Sequence, residues 1–432
     1  MLGKLFKYEL LGKALNAVQI FITLKVIEPE DFSRVNLSIS YILFIQVLSE
    51  FSFGRYQQSK NIDGVSKSFI KSICIMSTLL LTVFCLLAYK EVILIGYLGL
   101  FLSGLLIYTL PLISYLHQTT INSNIQYFAK LKLASSAASF TGFLLALFFG
   151  LGATSYFVSM LTSSLILLAS MATQLKFNEN ISLNKSALFY CSVTTLTGIF
   201  AWTIQYLDLT ILREKISSSD MGSYGLANNI AITIQAIGLA SIVPIYSKAF
   251  STHPTKIKKY FEYFLRSSVN ITFNLLLYVL GVAILLAEAI DKQWNNVAYY
   301  IVICVCLKSV MYQMGVLGDY LRIRYGVLLE FLLMIFTSLI IFTTGYFFNS
   351  IEQIFNIRIF ICMAAILAIV KIYLKKLPRN EMIILALIIF SIHFFGYMKA
   401  SLLIGVLVLM AAIISDFFAP KKISLIKRLV LN

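Results

Sequence analysis

The chain is 432 residues long, 59% hydrophobic and only 12% charged, with a mean hydropathy of +0.87. A soluble domain carries about a quarter charged residues, so too little polar surface is left to cover a water-soluble globule, and the composition indicates an integral membrane protein. The net charge of +16 does not point to nucleic acid, because the cations fall in short turns between apolar runs and form no basic domain that could grip a duplex.

Taken in order, Lys4, Lys7 and Lys13 lead into an apolar run near 8–27. No small-residue cleavage pattern follows and another span comes at once, which predicts a retained first helix. The stretch 28–60 then sets the pattern for the rest. An acidic turn (Glu28, Pro29, Glu30, Asp31) opens it, an apolar run over 35–53 follows, and Arg55 and Lys60 close it. At 1.5 Å per residue the run is long enough to cross a hydrocarbon core of ~30 Å with some tilt. Further spans are predicted near 69–89, 92–116, 131–150, 153–174, 187–211, 223–246, 264–287, 296–317, 327–348, 356–376, 381–398 and 401–418, about fourteen in all.

Charge gives a test independent of hydropathy. Lys and Arg are retained on the cytoplasmic side. With the N-terminus inside, 26 of the 35 cations fall on inner segments and 8 on outer ones, while Lys308 lies inside a span. That asymmetry supports an even number of spans and cytoplasmic termini. No outer turn exceeds roughly fifteen residues, so no external domain is expected. All six cysteines lie within apolar runs without metal-ligand or disulfide spacing, which reads as packing thiols. No metal or cofactor is implied.

The chain also echoes itself. Asp31-Phe32-Ser33 followed by Leu37-Ser38 resembles Asp220-Met221-Gly222 followed by Leu226-Ala227, at a constant offset of 189 residues. Six crossings separate the two motifs, so both halves point the same way. The predicted architecture is all-α: two parallel-repeat six-helix bundles over 1–176 and 187–377, a cytoplasmic hinge loop at 177–186, and an additional helix pair with a basic tail over 378–432. Parallel repeats predict an axis along the membrane normal with a cavity between them.

Pro29-Glu30-Asp31-Phe32 with the span that follows, Phe53-Gly54-Arg55, 124–132, Ile204–Asp208, Gly222-Ser223-Tyr224-Gly225-Leu226-Ala227 and Pro244 together resemble polysaccharide exporters of the multidrug/oligosaccharidyl-lipid/polysaccharide superfamily. Leu307-Lys308, Gly318, Tyr325 and Glu330 are similar to a pattern in its O-antigen (Wzx-type) flippases. Ser33 departs from it, standing where such proteins usually carry Gly. The resemblance implies a flippase that moves an undecaprenyl-diphosphate-linked oligosaccharide from the cytoplasmic to the outer leaflet by alternating access, coupled to an ion. It also implies a polysaccharide polymerase and a chain-length regulator as partners, alongside membrane lipid.

Such a protein makes and breaks no covalent bond. It must hide a sugar headgroup and a diphosphate from hydrocarbon, so charges at depth are the candidates, each costing ~2.5–3.5 kcal/mol at a helix centre. Lys308, near the middle of its span, is placed to attract a diphosphate or to fix two helices by pairing with a carboxylate. Arg55, at the inner mouth, suits phosphate geometry or serves topology alone. Asp208, Glu330 and Glu50 are candidates for ion coupling or helix pairing. Tyr206 and Tyr312 are candidates for stacking on sugar. Pro111 and Pro244 are candidate kinks. His117, His253 and His393 are far apart, and no nucleophile elbow, P-loop or HExxH motif is present, which disfavours an enzyme. The alternatives are a cation-coupled multidrug exporter of the same superfamily and a membrane polysaccharide polymerase.

Overall fold

A computed structural model of the chain describes residues 2–60, 64–90, 95–120, 125–173, 177–178, 184–212, 216–239, 281, 294, 296–347 and 351–374. Its helices are α1 (Leu2–Val26), α2 (Pro29–Glu50), α3 (Phe53–Ser59), α4 (Lys67–Tyr89), α5 (Tyr97–Thr120), α6 (Ile125–Phe148), α7 (Ser155–Ala172), α8 (Lys185–Leu212), α9 (Ser218–Leu239), α10 (Val297–Tyr325), α11 (Val327–Phe347) and α12 (Ile351–Leu374). Among the described residues no β-strand occurs, and seven helices are long and apolar enough to cross a membrane. The protein is an all-α, multi-pass membrane protein. The predicted spans near 264–287, 381–398 and 401–418, and Pro244, lie outside the described residues.

The helix ends follow from local chemistry. α2 starts at Pro29, earlier than the hydropathy run, because Glu28 is extended, Pro29 occupies the first turn without a wasted donor, and Glu30 and Asp31 meet the positive end of the helix dipole. It also ends earlier than expected, at Glu50. Phe51 and Ser52 adopt left-handed φ angles of 50° and 53°, which no α-helix continues through, and α3 restarts the chain in a new direction. Ser217 caps α9: its hydroxyl accepts from the Asp220 N–H at 3.1 Å and donates to the Asp220 carboxylate at 2.7 Å. Asn184 caps α8 by accepting from the Ala187 N–H at 2.7 Å. Gly326, at φ 96°, makes the left-handed turn between α10 and α11. Pro111 lies inside α5, which runs on past it; its missing N–H removes the helical donor for the Ile107 carbonyl.

By packing, the chain divides into two units. The first holds Met1–Gly222 with Tyr325–Ser338, and the second holds Ser223–Arg324 with Leu339–Asn432.

Within the first unit, lipid tails are as apolar as leucine, so close packing and hydroxyl hydrogen bonds between helices hold the bundle. α6 and α7 show both. Ser135 and Ser163 share a hydrogen bond of 2.6 Å, Ser139 and Ser159 one of 2.7 Å, and Thr162 donates to the Ala138 carbonyl at 3.1 Å. Gly142 faces the Thr162 side chain so closely that a Cβ would collide with it. α1 joins the pair through Gln19 to Ser159 (3.4 Å) and Thr23 to the Tyr156 hydroxyl (2.7 Å). At the same end Phe32 and Phe143 pack edge-on to Tyr156 at 5.1 and 5.3 Å.

The opposite end of this unit closes over one apolar cluster: Phe53, Tyr56, Val65, Phe69, Tyr115, Leu116, Leu131, Met171, Ala187 and Cys191. Phe53 stacks on Phe69 at 4.3 Å, and the Tyr115 hydroxyl accepts from the Ser66 N–H at 2.9 Å. Val65 forms an isolated β-bridge with Phe177, Asn178 N–H donates to the Val65 carbonyl at 3.0 Å, and the Lys67 ammonium lies over the Phe177 ring. These residues come from segments that the charge pattern assigns to the same face of the membrane. The second unit is built on α10, whose residues 300–308 are all buried.

Candidate functional site

In the second unit the Lys308 ammonium stem is 4% exposed, twelve residues into the 29-residue α10. The same helix buries Gln313, whose Oε1 has no hydrogen-bond partner among the described residues. α12 brings a second buried cation. Arg358 is 1% exposed, and its guanidinium carbon lies 5.7 Å from the Phe355 ring centroid. Phe355 packs edge-on to Tyr224 of α9 at 5.2 Å, and Tyr224 packs against Tyr300 of α10 at 6.2 Å. Three helices thus build an aromatic layer, and a planar, weakly hydrated cation lies on it. The charge pattern assigns Arg358 to an outer turn, and the structure buries it within α12. The signal that marks it is position: it falls two residues inside an apolar run, where a cation of mere topology would sit outside.

In the first unit Glu50 is 9% exposed in the last turn of α2, and its Oε2 accepts the Ser114 hydroxyl of α5 at 2.7 Å. A carboxylate there faces the negative end of its own helix, and Ser114 offsets part of that cost. The neighbouring left-handed pair is held by α8: Thr195 donates to the Ser52 hydroxyl at 3.2 Å, and the Cys191 thiol points at the Ser52 carbonyl at 4.0 Å. Arg55 is exposed on α3. Glu330 is 5% exposed in the first turn of α11, where the helix dipole favours its charge. By packing Glu330 belongs to the first unit and Lys308 to the second. Asp208 is in α8 and Tyr312 in α10, but their side chains lie outside the described residues, as do His253 and His393. Among the described residues no group of three or more His, Cys, Asp and Glu comes together to hold a metal.

The α2–α8 seam, also in the first unit, was not predicted. Gly198 of α8 lies against the Val47 side chain, and Trp202 donates its indole N–H to the Ser40 carbonyl at 3.0 Å. Phe44 packs against Trp202 at 4.7 Å, and Tyr206 follows one turn on, 6.0 Å away with the two rings tilted by 30°. Asn36 of α2 is 6% exposed, and its Nδ2 has no hydrogen-bond partner among the described residues.

No family model and no curated protein matches the chain. Solved structures do. One, described as "Lipid II flippase MurJ, inward closed conformation", is similar with a TM-score of 0.71 at 11% identity, covering 99% of each chain. An outward-facing multidrug resistance MATE family transporter of the MOP superfamily is similar with a TM-score of 0.55 at 14% identity, covering 89% of this chain and 96% of that one. A MOP superfamily transporter from Pyrococcus furiosus, described as having a binding pocket of reverse polarity, is similar with a TM-score of 0.55 at 13% identity, covering 90% of this chain and 96% of that one. At such identities the likeness is one of fold alone.

Proposed function

We propose that this chain is a Wzx-type flippase that carries an undecaprenyl-diphosphate-linked oligosaccharide from the cytoplasmic to the outer leaflet of the bacterial inner membrane by ion-coupled alternating access. Its bundles are 1–176 and 187–377, joined through 177–186, and both termini are cytoplasmic. The observation that carries this reading is the burial of Lys308 at mid-helix. An exporter of organic cations gains nothing from a buried ammonium, whereas a diphosphate is bound by one, and its cost at depth of ~2.5–3.5 kcal/mol is offset whenever the anion is present. Arg358 adds a second buried cation to the same unit. The MurJ-like fold supports the reading, because the named function of that neighbour is also the movement of a lipid-linked substrate. A polymerase would need catalytic groups on a large outer segment, and the sequence offers no outer turn of that size. Arg55 is assigned to the entry of the diphosphate; Asp208, Glu330 and Glu50 are assigned to coupling or helix pairing. A polymerase and a chain-length regulator are the partners that would consume the product.

The test is reconstitution of the full chain in vesicles with a lipid-linked oligosaccharide. Loss of a charge-assisted contact of ~1.5–3 kcal/mol predicts that Lys308→Ala slows flipping about ten- to hundredfold. Lys308→Arg should restore part of the rate, and insertion into the membrane should be unchanged. Flipping by Lys308→Ala at the parent rate would remove Lys308 from the mechanism and the proposal with it.

A further inference from the structure

We infer that the α2–α8 seam carries a sugar-binding subsite in which Trp202 and Tyr206 present an aromatic face to a pyranose ring and Asn36 donates a hydrogen bond to one of its hydroxyls. This rests on the flippase reading above and names where the headgroup of that substrate is held.

Three observations carry it. The first is the orientation of Trp202. Indole belongs at the membrane interface, where its N–H can reach water. Here it lies within α8, seventeen residues after the helix starts at Lys185, and its N–H is satisfied by the Ser40 backbone carbonyl of α2 at 3.0 Å. That bond fixes the ring, and Phe44 backs it at 4.7 Å. The second is exposure. Trp202 and Tyr206 are both only half-buried, although they lie 6.0 Å apart with rings tilted by 30°. Part of the surface of each ring residue therefore remains accessible. Trp202 also stands four and seven residues after Gly198 and Thr195, on the stripe of α8 that faces α2, so it is displaced from the stripe that Phe189 and Leu196 expose. The third is register. The two helices run antiparallel, with Val47 against Gly198 and Ser40 against Trp202. Continuing that register one turn brings Asn36 level with Tyr206. Asn36 is four residues from Ser40, on the same face of α2, and its buried Nδ2 has no partner among the described residues.

These groups match one chemistry. A pyranose has an apolar C–H face bordered by hydroxyls. It buries that face against an aromatic ring, and its hydroxyls need fixed donors and acceptors at the edge. A lipid tail would use the rings and leave Asn36 unsatisfied. A bare diphosphate would use neither ring.

The experiment compares two probes on the full chain in nanodiscs: undecaprenyl diphosphate bearing one N-acetylglucosamine, and undecaprenyl diphosphate alone. Affinity is read by native mass spectrometry. The parent chain should bind the sugar-bearing lipid about tenfold more tightly, the scale of a good aromatic contact. Trp202→Leu and Asn36→Leu should each bring the ratio toward one while affinity for the sugar-free lipid stays within about twofold; Trp202→Phe, which keeps an aromatic face, should retain part of the preference. A loss of stability would weaken both probes together and leave the ratio unmoved, so the ratio separates a sugar contact from a structural brace. Selectivity absent from the parent chain, or unchanged in both Leu variants, overturns the subsite while leaving the flippase reading intact. Failure of the parent chain to bind either lipid overturns both.

Discussion

A guanidinium in an apolar helix costs several kcal/mol unless something replaces its water. Around Arg358 part of that replacement is aromatic: Phe355 lies 5.7 Å from its guanidinium carbon, and Tyr224 holds Phe355 in place. A planar cation lies flat on a ring and an ammonium does not do so as well, so Arg358→Lys is not a conservative change. We expect it to cost about 1–2 kcal/mol and to lower the Tm of the detergent-solubilised protein by several degrees. An unchanged Tm would show that Phe355 contributes nothing to holding the charge. Gly222 makes the same argument from size. A Cβ there would run into the Pro29 backbone, so the first turn of α9 and the first turn of α2 touch only because this residue has no side chain.

At the scale of the helix, α6 and α7 are held by hydroxyls and by the absence of bulk rather than by hydrophobic burial. Inserting a side chain into such a contact forces the helices apart and costs about 1–3 kcal/mol. Gly142→Leu is therefore expected to lower Tm and reduce the folded yield, whereas Leu145→Ala, at an exposed position on the same helix, should leave both unchanged. Equal behaviour of the two variants would refute a special role for the close approach. The break between α2 and α3 is a different device. Two consecutive left-handed residues that are not glycine store strain of order 1–3 kcal/mol each, and Thr195, Cys191 and the Phe53–Phe69 stack hold them in place. Hydropathy runs straight through this break, which is why the span read from sequence continued to 53.

Across the whole chain, the charge pattern makes a claim about sides that the first unit allows to be tested. Phe53, Tyr56, Val65, Phe69, Tyr115, Leu116, Leu131, Met171 and Ala187 all lie in or beside segments assigned to the inside, and they converge in one apolar cluster. Thr23, Phe32, Phe143 and Tyr156, near turns assigned to the outside, converge at the other end. With the six native cysteines replaced, a cysteine at Lys60 should label only from the cytoplasmic side and one at Lys90 only from outside, since α4 separates them. Labelling of both from the same side would refute the proposed orientation.

What the sequence determined by itself was set by solvent. A chain this poor in charge folds only in lipid, and an apolar run in lipid must satisfy its backbone as a helix. All of this is legible one residue at a time. The burial of Lys308 was legible for the same reason, because a cation amid apolar residues stands out against its neighbours. The tertiary structure alone decided what depends on two helices at once: the burial of Arg358 on an aromatic layer, the Glu50–Ser114 contact, the hydroxyl seam of α6 and α7, and the Trp202–Ser40 bond between α8 and α2. Serine, glycine and tryptophan are unremarkable in any one apolar run. They acquire meaning only when a second backbone comes close enough to share their hydrogen bonds, and that distance is fixed by how the helices pack, which no periodicity along a single helix records.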